Sequence, residues 1–285
     1  VASPVTYSGD DDCGRKFKMR LAAHVSIKDD AFYIDMALKS VAPNVEGIYV
    51  QDQSSTDGTP DVVREMQKLF PGKIVLETVP QPYDMQFHKD YNEVEYRNRA
   101  VKKTIELFNP DFICKLDADE IITQSFFDTM RGLDLEKFNA VCVSESRFIS
   151  RKLVSRDLEI YGFKIAGHWY YGGHILFWRA SLGTMYAHNP SFPGCHFHPI
   201  LQPDPAPYYW MPGNYHIHLH RTFGPKAFRF WAEGGDEFEK VNPFNAREMA
   251  PKWFNAKENL GTAEEIEYAW PDYVLEKWKE WGIWD

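Results

Sequence analysis

Phe112-Ile113-Cys114-Lys115-Leu116-Asp117-Ala118-Asp119-Glu120 is the stretch on which the fold turns. Its mainly apolar first five residues suit a short buried strand, and the acids after them suit a polar turn at its carboxyl end. Upstream, Val94, Val101, Ile105 and Phe108 recur at helical spacing and stop at Asn109-Pro110, which predicts a helix from about residue 91 leading into that strand. Working back toward the start, the pattern predicts a strand over 19–27, a helix from Phe32 to before Pro43, a strand over 47–50, a helix from Asp61 to before Pro71-Gly72, and a strand over 73–79. This alternation predicts an α/β fold, with a mostly parallel sheet covered by helices on both faces. In such sheets ligands collect beyond the carboxyl ends of the strands. Asp29, Asp52 and Asp117 all fall at such ends.

Composition narrows the classes. The chain has 285 residues, 44% hydrophobic and 26% charged, which fits one large globular domain with an appendage and excludes a disordered or fibrous chain. Lys and Arg total 32 against 41 Asp and Glu, a formal charge of −9, so nucleic acid is a poor default partner. Cys13, Cys114, Cys142 and Cys195 form no Cys-x-x-Cys pair, which signals neither a disulfide scaffold nor a thiolate zinc site and leads to the expectation of a reducing, cytoplasmic setting. No run approaches the ~18 apolar residues of a membrane span. Residues 1–16 read as a flexible leader. Beyond Asn139 the pattern leans to β structure, becomes Pro-rich over 190–212, and ends in a helix-like tail over 226–285 holding six of the nine tryptophans.

A tight turn after a buried strand can aim Asp117 and Asp119 at one hard divalent cation, which prefers oxygen ligands and can bridge a diphosphate. The competing reading is a turn and cap ahead of Ile121-Ile122. In Gln51-Asp52-Gln53-Ser54-Ser55-Thr56-Asp57-Gly58-Thr59, Ser55, Thr56 and Asp57 are suited to cap the next helix. Asp52 has no evident capping duty at its offset, and is expected to accept hydrogen bonds from a nucleobase or ribose.

Asp52, the Ser55-to-Thr59 turn, Arg97-Asn98 and Asp117-Ala118-Asp119 occur in the order that marks the family 2-like glycosyltransferases of the GT-A fold, which the chain resembles over roughly 20–122. The resemblance implies a GT-A type, Rossmann-like domain over 17–225, with a nucleotide-sugar-binding half over 17–122, an acceptor and metal-completing half over 123–225, and an aromatic-rich helical C-terminal extension over 226–285. It implies a nucleoside diphosphate sugar donor, with a UDP-sugar favoured, a glycan or other hydroxyl-bearing acceptor, and Mn2+ or Mg2+ as cofactor. Asp52 would contact the base, Asp29 or Asp30 would lie near the nucleoside, Arg97 could reach a phosphate, and Asn98 and Asp117 would complete the donor site. Asp119 would hold the metal with Asp117.

Eight of the ten histidines lie between His168 and His220, and His216, His218 and His220 alternate. On a strand that spacing puts three imidazoles on one face. In enzymes of the resembled family a late histidine often completes the metal site, which points to His218 first and His216 second. The alternative is a polar strand face whose histidines bond to nearby acids.

Gly172-Gly173-His174-Ile175-Leu176-Phe177-Trp178 resembles the family's Gly-rich segment near sugar and acceptor, so Gly173, His174 and Trp178 join the acceptor candidates; a tight turn between strands is the alternative. Tyr209, between Tyr208 and Trp210, could stack on a sugar. The family's Glu-Asp pair, source of its catalytic base, does not occur between Arg179 and Arg221. Asp204 and His196, then His198, Asp157 and Glu159, stand as substitutes within reach of an acceptor hydroxyl. Trp270, Val274, Trp278 and Trp281 recur at helical spacing; packing back on the domain is favoured over a membrane surface because Glu264, Glu265 and Glu267 are close by.

Three other functions compete. A nucleotidyltransferase would share the layout, but no glycine-rich basic loop follows the first strand. A zinc hydrolase built on His196, His198, His216 and His218 would leave the Asp52 turn without a role. A carbohydrate-binding module displaying Tyr208, Tyr209 and Trp210 would keep binding sugar after Asp119→Ala.

Overall fold

A computed structural model of the chain describes residues 19–80, 92–148, 153–155, 162–165, 168–171, 173–187, 200–219, 263–265 and 268–280. The order is β1 (Leu21–Ile27), α1 (Ile34–Val41), β2 (Gly47–Asp52), α2 (Thr59–Leu69), β3 (Ile74–Thr78), α3 (Glu93–Phe108), β4 (Phe112–Leu116), β5 (Glu120–Ile122) and α4 (Gln124–Gly132). There follow β6 (Ala140–Phe148), β7 (Leu153–Ser155), β8 (Gly162–Ile165), β9 (His168–Tyr171), β10 (Gly173–Arg179), β11 (Met185–Ala187), β12 (Ile200–Gln202), β13 (Tyr208–His218), β14 (Ala263–Glu265) and α5 (Asp272–Glu280).

The main sheet runs β14-β7-β6-β10-β4-β1-β2-β3, with β13 pairing both β5 and β6. Strands β4, β1, β2 and β3 are mutually parallel, as the alternating pattern predicts. Strand β10 is antiparallel to both β4 and β6, so the sheet is mixed, with a parallel core of β4, β1, β2 and β3. Alternation along each strand sends Leu21, Ala23, Val25 and Ile27 of β1 into the largest apolar cluster with residues of α1, α2 and α4. The opposite face packs Val101 of α3 with Ile113, Trp178 and Tyr186.

The helices are punctuated by sequence. Gly58 takes φ 90° ahead of α2, a conformation cheap only for glycine, and Pro60 then opens the helix. The Asn92 side chain accepts from Glu95 N–H at the start of α3, and Asn109 closes that helix at φ 42°. Gly47 is required for packing, because a methyl group there would overlap the Phe108 ring.

The C-terminal tail is tied into the body in its described parts. Strand β14 pairs with β7. Trp270, Val274 and Trp278 pack with Tyr33, Met36, Ile121, Ile217 and Leu219 in a separate buried cluster. This is the packing the tryptophan spacing favoured; Trp281 lies outside the described residues. Among the described residues no helix is long and apolar enough to cross a membrane.

Candidate active site

The pairing of β1 with both β2 and β4, all parallel, brings Ile27, Asp52 and Leu116 to one end of the sheet. Strands are spaced about 4.8 Å apart, so β2 and β4 stand roughly 10 Å from each other across β1. The loops carrying Asp29, Asp52 and Asp117 to Asp119 therefore share one rim.

On the β2 side, carboxylates knit two loops together. The buried Asp52 accepts from Ser55 N–H at 3.1 Å through Oδ1 and from Thr78 Oγ1 at 3.1 Å through Oδ2. It thus has a turn-closing duty that its offset did not suggest. Asp29 is exposed, sits at φ 53°, and accepts from Thr56 N–H at 2.6 Å, while its own N–H donates to Ser55 Oγ at 2.8 Å. Asp30 N–H donates to Thr59 Oγ1 at 2.8 Å and Ala31 N–H to Asp57 Oδ2 at 2.9 Å. Lys28 Nζ donates to the carbonyls of Gln53 and Ser54.

On the β4 side the contacts are ionic. Asp117 meets Arg97 Nη1 at 3.1 Å through Oδ1 and Lys115 Nζ at 2.6 Å through Oδ2. Arg97 Nε also donates to Glu93 Oε1 at 2.6 Å. Burial disfavours the Asp117 carboxylate, but Arg97 and Lys115 outweigh it and hold its pKa below the usual range. Burial likewise opposes the Arg97 and Lys115 cations, and Asp117 with Glu93 or Glu120 keeps both charged beyond their ordinary ranges.

Strand β13 completes the rim. It pairs antiparallel with β5, setting His216 opposite Ile122 and His218 opposite Glu120. Leu219 N–H donates to Asp119 O at 2.8 Å, and His218 Nε2 lies 3.3 Å from Asp119 Oδ1. His216 is fully buried and faces Glu120 Oε1 at 3.2 Å instead. The alternation thus divides the two imidazoles between two acids. Among the described residues, no group of three or more His, Cys, Asp or Glu side chains is arranged to hold a metal ion. Asp119 with His218 offers one oxygen and one nitrogen donor, which fits a cation that takes one or two protein ligands and fills its other positions with phosphate oxygens and water.

Several expected site residues do other work. The Asn98 side chain exchanges two hydrogen bonds with the Tyr186 backbone, at 2.9 and 2.7 Å, so its amide is consumed in holding β11 to α3. Trp178 is fully buried and packs edge-on against His24 and Tyr186 in the core. Tyr209 is level with Val141 and packs on Phe138 and the main core. The exposed Asp204 lies toward the end of the sheet where β6 begins, away from the rim: its Oδ1 accepts from Ala206 N–H, and Asn139, at the amino end of β6, binds the Ala206 and Pro207 carbonyls. Gly173 and His174 open β10, whose antiparallel register carries them toward the end where β4 stops. His196, His198, Asp157 and Glu159 lie outside the described residues.

Three participants were not anticipated. Lys115 and Glu120 join the ionic cluster; the signal of Lys115 was a charge inside an apolar run, on the face of β4 opposite Cys114 and Leu116, and that of Glu120 an acid directly ahead of the apolar Ile121-Ile122. His24 is fully buried, and burial, aided by Arg97, drives its pKa down to about 3. Its Nε2 lies 3.3 Å from the Tyr186 hydroxyl.

No protein-family model matches the chain, and no curated protein does. Among solved structures it is similar to the mannosyltransferase PcManGT from Pyrobaculum calidifontis in complex with GDP-Man and Mn2+, at 18% identity over 47% of this chain and 37% of that one, with a TM-score of 0.36. It is also similar to S. aureus TarS 1–349 in complex with UDP, at 14% identity over 85% and 80% of the two chains and a TM-score of 0.48. Glucosyl-3-phosphoglycerate synthase from Mycobacterium tuberculosis, in complex with Mn2+, UDP and glucosyl-3-phosphoglycerate, matches at 15% identity over 51% and 52%, with a TM-score of 0.31. The chain spans 37% of the mannosyltransferase and 52% of the synthase.

Proposed function

We propose that the chain is a metal-dependent glycosyltransferase of GT-A type, moving a sugar from a nucleoside diphosphate donor, a UDP-sugar in the favoured case, to an acceptor hydroxyl. One observation carries this reading: His218 Nε2 approaches Asp119 Oδ1 to 3.3 Å at the rim that the Asp29 and Asp52 loops share. Asp52, the Ser55-to-Thr59 turn, Arg97 and Asp117-Ala118-Asp119, taken from the motifs that resemble the family, support this reading.

Asp119 and His218 would hold the divalent cation, Mn2+ or Mg2+, which when bound neutralises charge on the departing diphosphate. Asp117, with its oxygens on Arg97 and Lys115, would orient the Arg97 guanidinium toward a phosphate. The β2 loop would supply a preformed wall for the nucleoside, with exposed Asp29 as its side-chain contact. Asp52 would act from beneath, keeping that wall in shape. The backbone of Gly173 and His174 would border the sugar.

Thermal-shift screening against UDP, GDP, CDP and TDP, each with and without Mn2+, tests this. One nucleotide is expected to raise the melting temperature only when Mn2+ is present, and Asp119→Ala is expected to abolish that rise. No rise with any of the four overturns the reading.

A further inference from the structure

Glu120 is 1% exposed, and each of its polar groups is directed at the acidic turn or its neighbours. Oε2 accepts from Asp117 N–H at 2.8 Å, and Glu120 N–H donates to Asp117 O at 3.1 Å. The first and last residues of Asp117-Ala118-Asp119-Glu120 are thus tied reciprocally, with Asp119 held between. Oε1 meets Lys115 Nζ at 2.7 Å and His216 Nε2 at 3.2 Å, which links the turn to the strand that presents His218. The ladder sets Glu120 directly opposite His218.

We propose that Glu120, with Lys115 as its counter-cation, is a positioning residue that holds Asp119 at His218 so that the two can share one divalent cation. This rests on the metal-site reading above. A buried carboxylate without a partner is costly, and Lys115 offsets that cost for both Glu120 and Asp117. A buried ion pair is weak evidence of a gain in stability, since apolar side chains often replace such pairs without loss. Contacts aimed at both ends of a ligand-bearing turn are what orientation of a metal ligand requires.

Mn2+ binding in the presence of UDP, followed on the full chain by the electron paramagnetic resonance signal of free Mn2+, tests the inference, with each variant's melting temperature measured alongside. Glu120→Gln keeps the side chain's size and an acceptor for Asp117 N–H but removes the charge that holds Lys115 and His216. It is expected to weaken Mn2+ binding about 10-fold or more. In Glu120→Gln, Lys115 and Arg97 share the one carboxylate of Asp117, and the double variant Lys115→Met/Glu120→Gln removes that surplus buried positive charge while Asp117 keeps Arg97. It is expected to melt higher than Glu120→Gln while Mn2+ binding stays weak. Wild-type Mn2+ affinity in either variant, whatever its melting temperature, overturns the positioning role alone. Absence of Mn2+ binding by the wild-type chain overturns the metal site and the positioning role together.

Discussion

The two acidic corners of the rim are built in opposite ways. At the end of β2, Asp52, Asp29 and Asp57 accept from backbone N–H groups and hydroxyls of Ser55, Thr56, Thr78 and Ala31, so their charge is met by neutral donors that fix local shape, with Asp29 also exposed to solvent. At the end of β4, Asp117 and Glu120 face Arg97, Lys115 and His216, so their charge is balanced by other ionisable side chains. Similar motifs of one or two aspartates after a strand thus yield a rigid loop surface in one place and an electrostatically loaded turn in the other. The lesson is that an acid's partners, more than its position at a strand end, decide whether it shapes a site or works in it.

The largest expected effect concerns the packing behind the rim. Trp278 packs with Ile121, Ile217 and Leu219 around β5 and β13 and with Tyr33 and Met36 at the start of α1, in a cluster separate from the one that holds the apolar face of β1 and β2. Trp278→Ala is expected to cost about 3–5 kcal/mol in urea unfolding, and to weaken Mn2+-dependent nucleotide binding in the fraction that stays folded. An unchanged nucleotide affinity would show that the β4 corner does not lean on the C-terminal helix.

Next in size is Asp52→Ala, which strands a Ser55 N–H and the Thr78 hydroxyl. A loss of about 1–3 kcal/mol in unfolding free energy is expected, with Asp52→Asn costing less because it retains an acceptor oxygen. If Asp52→Ala is as stable as wild type but blind to nucleotide, the β2 corner is a binding group and not a scaffold.

At neutral pH the smallest difference between wild type and variant concerns the polar layer between β1, α3 and β11, where the effect appears only on acidification. His24 is kept neutral by burial, with its pKa lowered from 6.5 to about 3. Between those values the unfolded chain takes up a proton that the folded chain refuses. Its contribution is therefore intact above pH 6.5 and is lost as the pH falls toward 3, at up to ~1.4 kcal/mol per pH unit. His24→Gln is expected to flatten the slope of unfolding free energy between pH 6.5 and 4.5, a window above most carboxylate titrations. An unchanged slope would mean that His24 is not the group responsible.

Much of the fold was legible because its signals are local. The strand over Phe112–Leu116 is where the apolar run places it, and α2 and α3 begin and end close to their Gly, Pro and Asn punctuation. What depends on long-range pairing was not legible. The long strand β13 grows from a Pro-rich stretch because β6 and β5 offer it partners, and α4 is buried through Phe126, Phe127 and Met130 without having been foreseen. The same limit divided the site residues. Asp119 and His218 meet through a strand pairing that the alternating histidines only hinted at. Asn98 and Trp178 belong to motifs that resemble a donor and acceptor site, yet their environments turn them to backbone bonding and core packing. Lys115 and Glu120 were passed over because a charge beside an apolar run reads as an exception until its partner is seen.

Under the proposed function, Asp119 with His218 would hold the cation, while Asp117 is committed to Lys115 and Arg97. Mn2+ titration in the presence of UDP, comparing Asp119→Asn with Asp117→Asn, tests it most directly. Asp119→Asn is expected to lose on the order of 10- to 100-fold in Mn2+ affinity, and Asp117→Asn to stay within several-fold of wild type. Loss of Mn2+ binding in Asp117→Asn with wild-type affinity in Asp119→Asn would contradict it.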